Sequence, residues 1–268
     1  MNKTTIVIPV MGSLHQTKSF WGLLLETVGK SDLADLFVID NSPDEDAKEF
    51  IEFYKKFIIP HWKAGVARYF HPQNNIGVVR SLQHAYENTS TPYLVFMHND
   101  LYIYKSGWVA DVEEIFDNRN QVGLIGVFGG LGLHRSGMRF ENSSNMLEAE
   151  IHGYRRNGGS FRCTVIDGMF MACQRTMLDA KRGFDVGYDI NHFYDLDRSM
   201  ESISRGFENW AIMLPVHHVN GVTANGKTFN DWADDYIPGG QIELYKKNQL
   251  RFTSKWLGRL PYDVRLAE

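Results

Sequence analysis

Five short runs rich in β-branched and aromatic residues, at 5–10, 36–39, 66–70, 93–97 and 122–127, are separated by stretches with helical spacing. This alternation constrains the fold more than any other feature. A helical crossover, rather than a tight hairpin, is the natural link between parallel strands, and it covers the sheet on both faces. The first crossover, 16–28, sets Phe20, Leu24 and Val28 on one face; the second, 44–57, does so with Phe50, Tyr54 and Phe57. The expected class is therefore α/β, with a mainly parallel central sheet flanked by helices. Ligands of such sheets bind beyond the carboxyl ends of the strands. Here those ends read Pro9-Val10, Asp40-Asn41-Ser42 and His98-Asn99-Asp100.

The second half is organised differently. Residues 128–160 are rich in Gly, Arg, Asn and Ser, too long and polar for a routine connection, and read as a mobile loop. A strand-like pair across 163–173, a helix starting near Asp195, a strand at 209–216 and a Gly-punctuated tail from His217 follow. The expectation is one large domain over 1–223 and a helical extension over 224–268 packed on it. A length of 268 residues with 43% hydrophobic content suffices for such a core. Within the extension, 245–260 reads as a helix with Phe252, Trp256 and Leu260 on one side and Lys247, Arg251, Lys255 and Arg259 supplying positive charge. Docking on the protein's own core is preferred there over peripheral contact with a membrane.

Composition excludes some partners. A formal net charge of -4 lacks the basic excess that a nucleic-acid backbone requires. No apolar run approaches the roughly 20 residues of a membrane span, and the N-terminus runs straight into a strand, so the expected location is cytoplasmic. Cys163 and Cys173 lack metal spacing and read as core thiols.

Several residues at the strand ends carry possible chemistry. Asp40 closes the second strand and can bond a ribose or base ring, or simply cap the turn that follows. Asn74-Asn75-Ile76-Gly77 closes the third in the same way, with Gly77 allowing close backbone approach and Arg80 one turn into the next helix, where a solvated surface charge is the commoner reading. Asp100 follows the fourth, where a hard carboxylate suits Mg²⁺ or Mn²⁺ and a turn-forming role is the alternative. The stretch from Gly183 to Asp197 gathers carboxylates and aromatics before a helix start, where backbone N–H groups favour negative charge. A general base could sit in this stretch, with Asp195 alternatively serving as the N-cap of the helix. Asp197, two residues on, points to another face and reads first as a partner of the helix dipole.

In this order the motifs resemble the inverting family 2 glycosyltransferases of the GT-A fold, over roughly residues 4–223. The first strand is similar to Ile6-Val7-Ile8-Pro9-Val10, and Asp40 matches the acid that contacts the base. His98-Asn99-Asp100 corresponds to the D-x-D metal motif with only its last acid. Asp167-Gly168-Met169-Phe170 resembles the acceptor-side strand, Tyr194-Asp195-Leu196-Asp197 the E-D-x-D catalytic segment, and His218-Val219-Asn220-Gly221-Val222-Thr223 the H-x-x-G-x-[ST] element, ambiguous by one residue because His217 is adjacent.

The resemblance implies a nucleotide-binding half (1–127), the loop, and an acceptor and catalytic half (161–223). It assigns Pro9, Val10, Asp40, Asn75, Gly77, Arg80 and Asn99 to the nucleotide, and Asp167, Gly168 and Asp197 to the acceptor. Asp100 and His218 would hold a divalent cation, Mn²⁺ or Mg²⁺, and Asp195 would act as base. The implied partners are a nucleotide-diphosphate sugar and a glycan or other hydroxyl acceptor. Arg135, Arg139, Arg155 and Arg156 would then fold over the donor phosphates, with a solvated insertion as the other reading of their segment. Two alternatives stand beside this: a nucleotidyltransferase, disfavoured because Met11-Gly12-Ser13-Leu14-His15 has one Gly and no Lys or Arg, and a catalytically inactive carbohydrate-binding relative.

Overall fold

The computed structural model describes residues 2–12, 14–28, 33–148, 154–156, 158–179, 182–219, 232–233 and 235–266. Strand β1 (Thr4–Val10) lies between β2 (Ala34–Asp40) and β4 (Tyr93–Met97), with β3 (Ala67–Phe70) beyond β2, all parallel. The crossovers are α1 (Leu14–Thr27), α2 (Asp44–Phe53) and α4 (Gly77–Glu87). Between α2 and β3 the helix runs through a π turn, Tyr54–Ile58, into α3 (Ile59–His61). Antiparallel β5 (Leu101–Ile103) and β14 (Val216–His218) form a separate ribbon.

Beyond β4 the sheet becomes mixed, although four of its seven pairings are parallel, in keeping with the mainly parallel α/β expectation. It continues through β12 (Phe170–Gln174), β6 (Val122–Gly126), β13 (Glu208–Ala211) and β10 (Phe161–Cys163), and β12 is antiparallel to both neighbours. Phe170 pairs with Met97, so β12 begins where β4 ends. That reversal brings the turn before β12, with Asp167 and Gly168, to the rim where the parallel strands finish. The strand pair expected across 163–173 is thus three strands with different partners, and the strand expected at 209–216 is split between β13 and β14.

Alternation along β1 sends Ile6 and Ile8 into one core and Val7 into the other. The first is closed by Phe20 and Trp21 of α1, Phe50 of α2 and Val112 of α5 (Trp108–Asn118). The second is closed by Val79 and Leu82 of α4, Met200 of α7 (Tyr194–Ser204) and Phe252 of α8 (Gly240–Lys255); the short α6 (Arg175–Asp179) follows β12. Helix α8 begins five residues before the expected start and ends five earlier, but the expected side faces inward: Phe252, Trp256 and Leu260 are buried in the protein's own core. No helix among the described residues is long and apolar enough to cross a membrane.

The segment read as a loop contributes three strands to a second sheet. Strands β7 (Phe128–Leu133), β8 (Arg139–Ser144), β9 (Arg155–Arg156), β11 (Val165–Ile166) and β15 (Tyr262–Asp263) pair on one another. Glycines within β7 that read as loop signals are close-packing positions: a Cβ at Gly132 would lie 2.1 Å from the Phe140 ring and one at Gly129 2.5 Å from the Val165 carbonyl oxygen.

Candidate active site

A cleft of about 400 Å³ opens at the carboxyl ends of the parallel strands. Of the residues expected to contact the nucleotide, Pro9, Val10, Asn75, Gly77 and Asn99 line it and Asp40 and Arg80 do not. Asp40 is fully buried, accepting the Ser42 N–H at 2.9 Å and the Tyr69 hydroxyl at 2.7 Å. It holds the turn, and its neighbour Asn41 lines the cleft instead. Arg80 is exposed on α4. Gly77 has φ +75°, and what approaches it is the protein's own backbone: an added Cβ would lie 2.4 Å from Ile190 Cα.

Where β4 ends, the His98 N–H donates to Met169 O at 3.0 Å, tying the strand end to the turn before β12. His98, Asp100 and His218 each offer one ligand atom, all within 4.8 Å of one another. His218 Nε2 lies 3.2 Å and His98 Nδ1 3.9 Å from the same Asp100 oxygen. Burial lowers the His98 pKa. It acts to lower that of His218 too, but the hydrogen bond to Asp100 and its charge outweigh burial, and the net direction is upward.

Successive strand residues point to opposite faces, which separates the two histidines of β14. His218 lines the cleft, whereas Glu148 takes His217 Nδ1 at 3.0 Å and the His218 N–H at 2.6 Å. Gly221 and Thr223, on which the expected register of this element rests, lie outside the described residues. Two imidazole nitrogens and one carboxylate form a mixed donor set that fits Mn²⁺ better than the all-oxygen preference of Mg²⁺.

Across the cleft, Asp195 stands in the first turn of α7, accepting the Gly168 N–H on Oδ2 at 3.1 Å. Burial, then the nearby charge of Asp167, pushes its pKa up to about 6; Arg139 and the N–H groups of Leu196 and Gly168 act in the opposite sense. Asp167 accepts from Arg139 Nη1 at 2.5 Å and from the Met169 N–H at 3.0 Å. Burial acts to raise its pKa, but these partners, Arg139 foremost, bring it below the usual carboxylate range. Arg139, expected over the donor phosphates, instead pairs with Asp167 and stacks on Phe128 at 5.0 Å. Arg135 is exposed in the β7–β8 turn. Asp197 is turned away from the cleft, bonded to Tyr188 Oη, Lys255 Nζ and Trp256 Nε1 at 3.1, 2.7 and 2.8 Å, so its expected acceptor contact gives way to fastening α8.

The segment leading to Asp195 is strained. Ile190, His192 and Phe193 all have positive φ, which is costly for L-residues and most so for a β-branched one. It is held from two sides. The Ile190 carbonyl accepts the Val78 N–H at 2.6 Å. Asn248 of α8, fully buried, donates to the Asp189 and Asn191 carbonyls at 2.9 and 2.6 Å and accepts the Asp189 N–H at 3.3 Å. Sequence reasoning missed Asn248 because its role is created by a contact across more than fifty residues. His98 was passed over because the motif position calls for an acid, although imidazole is itself a common ligand.

Known structures share this architecture. GalNAc-T7 with UDP, GalNAc and Mn²⁺ superposes with a TM-score of 0.64 at 14% identity, over 97% of this chain and 56% of that one, so this chain spans little more than half of it. The mannosyltransferase PcManGT from Pyrobaculum calidifontis, in complex with GDP-Man and Mn²⁺, gives 0.58 at 14% identity over 96% and 70%. Residues 1–349 of TarS from S. aureus give 0.53 at 10% identity over 96% and 72%. At such identities the likeness is one of fold. No curated protein matches the chain. The sequence itself matches the model of the glycosyltransferase-like family over residues 67–230, more than half its length, from the edge strand through both histidines of β14. By that match, the chain with its cleft at the strand ends belongs to the glycosyltransferase-like family.

Proposed function

We propose that the protein transfers a sugar from a nucleotide-diphosphate donor to an acceptor hydroxyl with inversion, using Asp195 as general base and a divalent cation on His98, Asp100 and His218. The observation that carries this reading is one cleft lined on one side by the three metal-type ligands and on the other by a buried carboxylate whose pKa lies just below neutrality. The solved GalNAc-T7 and PcManGT structures, which hold nucleotides or nucleotide sugars with Mn²⁺, support the choice of donor and cation.

The cation, when bound, neutralises charge that grows on the departing diphosphate. Pro9, Val10, Asn41 and Asn75 line the part of the cleft where the nucleotide would lie, and the small Gly77 leaves its rim to the Ile190 backbone. With a pKa of about 6, Asp195 is roughly nine-tenths ionised at pH 7, and it takes the proton of the attacking hydroxyl. Attack from the face opposite the diphosphate inverts the anomeric carbon and needs no covalent intermediate. Arg139 keeps Asp167 paired, so the Asp195 carboxylate does not share its site with a second free anion.

The test is to supply a panel of nucleotide-diphosphate sugars with simple saccharide acceptors, with and without Mn²⁺, and measure nucleoside diphosphate release and the anomeric configuration of the product. Cation-dependent release with inverted product is expected. Retained configuration would rule out Asp195 as the base of a single displacement, and undiminished release in excess EDTA would remove the cation.

A further inference from the structure

The π turn Tyr54–Ile58 presents a surface that glycosyl transfer does not use. Its anchors recur every fourth residue: Tyr54, Ile58 and Trp62 are buried, and Trp62 Nε1 donates to Ala34 O at 3.0 Å. In an α-helix, residues four apart drift around the axis by about 40° per step. The wider π turn takes up that drift and keeps all three anchors on the core face.

Fixing those anchors obliges the residues between them to face solvent. Lys55, Lys56, Phe57, Ile59, His61 and Lys63 are all exposed, and each is basic or apolar. Phe57 is 44% and Ile59 47% exposed. Two neighbours extend the apolar surface: Leu33, adjoining the Ala34 that Trp62 holds, and Val66, whose N–H is held by Asp35 Oδ1 at 3.0 Å, are 70% and 53% exposed.

The charge of this face runs against that of the protein. From residue 53 to 86 the sequence contains no Asp or Glu, in a chain of net charge -4. Lys55 pairs at the surface with Glu52, at 3.4 Å. Among the described residues no carboxylate pairs with Lys56 or Lys63, and the Lys56 ammonium sits 5.5 Å over the Phe57 ring. Helix α8 makes the contrast. It too exposes Ile242 and Leu250, but its Lys246, Arg251 and Lys255 are tied to Glu243, Asp185 and Asp197.

We propose that this face docks the protein on an anionic lipid surface, the lysines meeting headgroup phosphates while Phe57, Ile59, Leu33 and Val66 enter the headgroup–acyl boundary. Charge argues against a second copy as occupant, since a two-fold contact through this face would set lysines against lysines. Exposed Phe and Ile among the cations are of no use against a nucleic-acid backbone but are what an interfacial element requires. The face lies at the amino ends of β2 and β3, whereas the cleft lies at the carboxyl ends. A seven-residue strand spans about 23 Å, so docking leaves the cleft open to solvent, and the proposal stands independently of the transfer reaction.

The experiment is flotation of the full chain with vesicles of phosphatidylcholine plus phosphatidylglycerol, against phosphatidylcholine alone, at low and high salt. Binding is expected to the anionic vesicles only, weakening as salt rises. Lys56→Glu with Lys63→Glu should reduce it about tenfold or more. Phe57→Ser with Ile59→Ser should reduce it as well, with unchanged melting temperature, since none of these side chains is buried. Lys246→Glu with Leu250→Ser on α8 should leave it unchanged. No binding to anionic vesicles, binding that survives both double variants of the face, or binding lost through the α8 variant would each overturn the proposal. So would self-association that disappears with Phe57→Ser and Ile59→Ser while vesicles go unbound, because the occupant would then be a second copy.

Discussion

Pro9, Val10 and Asp100 stand at or just past the ends of β1 and β4, strands held by backbone ladders on both sides. Asp195, across the cleft, follows a segment with three positive-φ residues that no ladder holds; it is kept in place by Val78, by Asn248 and by the packing of Phe193 on Tyr245 and Phe252, at 5.1 and 5.6 Å. One side of the site is thus a by-product of the sheet. The other depends on a helix that comes from the last thirty residues of the chain. Strain stored beside the proposed base and held by remote contacts is a recurrent way to aim a group that must meet a substrate.

The sharpest way to break this contrast is at the base. Asp195→Asn keeps the shape and the bond from the Gly168 N–H but removes the proton acceptor, so kcat should fall by about 10² or more with donor affinity nearly intact. Asp197→Asn should instead lower the melting temperature, because Asp197 fastens Lys255 and Trp256 of the α8 region. If the two variants exchange phenotypes in parallel kinetic and thermal assays, the base lies two residues later.

On the sheet side, His98→Ala and His218→Ala should each weaken Mn²⁺ binding about tenfold or more by titration calorimetry, while His217→Ala should have little effect. A large loss at His217 alone would shift the assignment by one residue.

Asn248→Ala tests whether α8 belongs to the catalytic side. It leaves two carbonyls of the strained segment without their donor, at a cost of about 1–3 kcal/mol. It should lower kcat several-fold more than it raises the KM for donor. A uniform loss of stability with unchanged kcat in the folded fraction would reduce Asn248 to a scaffold residue.

The smallest expected effect is a shift in pH dependence. As the proposed base, Asp195 would work ionised, so kcat/KM should fall as pH drops through about 6. Arg139 favours the ionised form, and Arg139→Met should therefore move this acid limb to higher pH. An unmoved or lowered limb in the pH–rate profile would separate Arg139 from the base.

Much of the cleft's lining at the strand ends was legible because it depends on local order. Alternating strands and helices place the strand ends, and Pro9, Val10, Asn75 and Asn99 reach the cleft as expected. Asp40 misled because a strand-end acid can aim at a ligand or back into its own turn; a tyrosine on the neighbouring β3 decides between them. Residues 128–160 misled because glycine marks turns and close packing alike, and only the Phe140 ring against Gly132 tells them apart.

The sequence by itself determined the α/β class, the order of the motifs and the residue types able to hold a metal or take a proton, since these follow from periodicity and side-chain chemistry along the chain. The tertiary structure alone decided that His98 joins Asp100 and His218, that Arg139 pairs with Asp167, that Asp197 turns from the cleft, and that Asn248 holds the segment before Asp195. Each of these is a contact between elements distant in sequence, and such contacts depend on how sheet and helices pack, which no local pattern specifies.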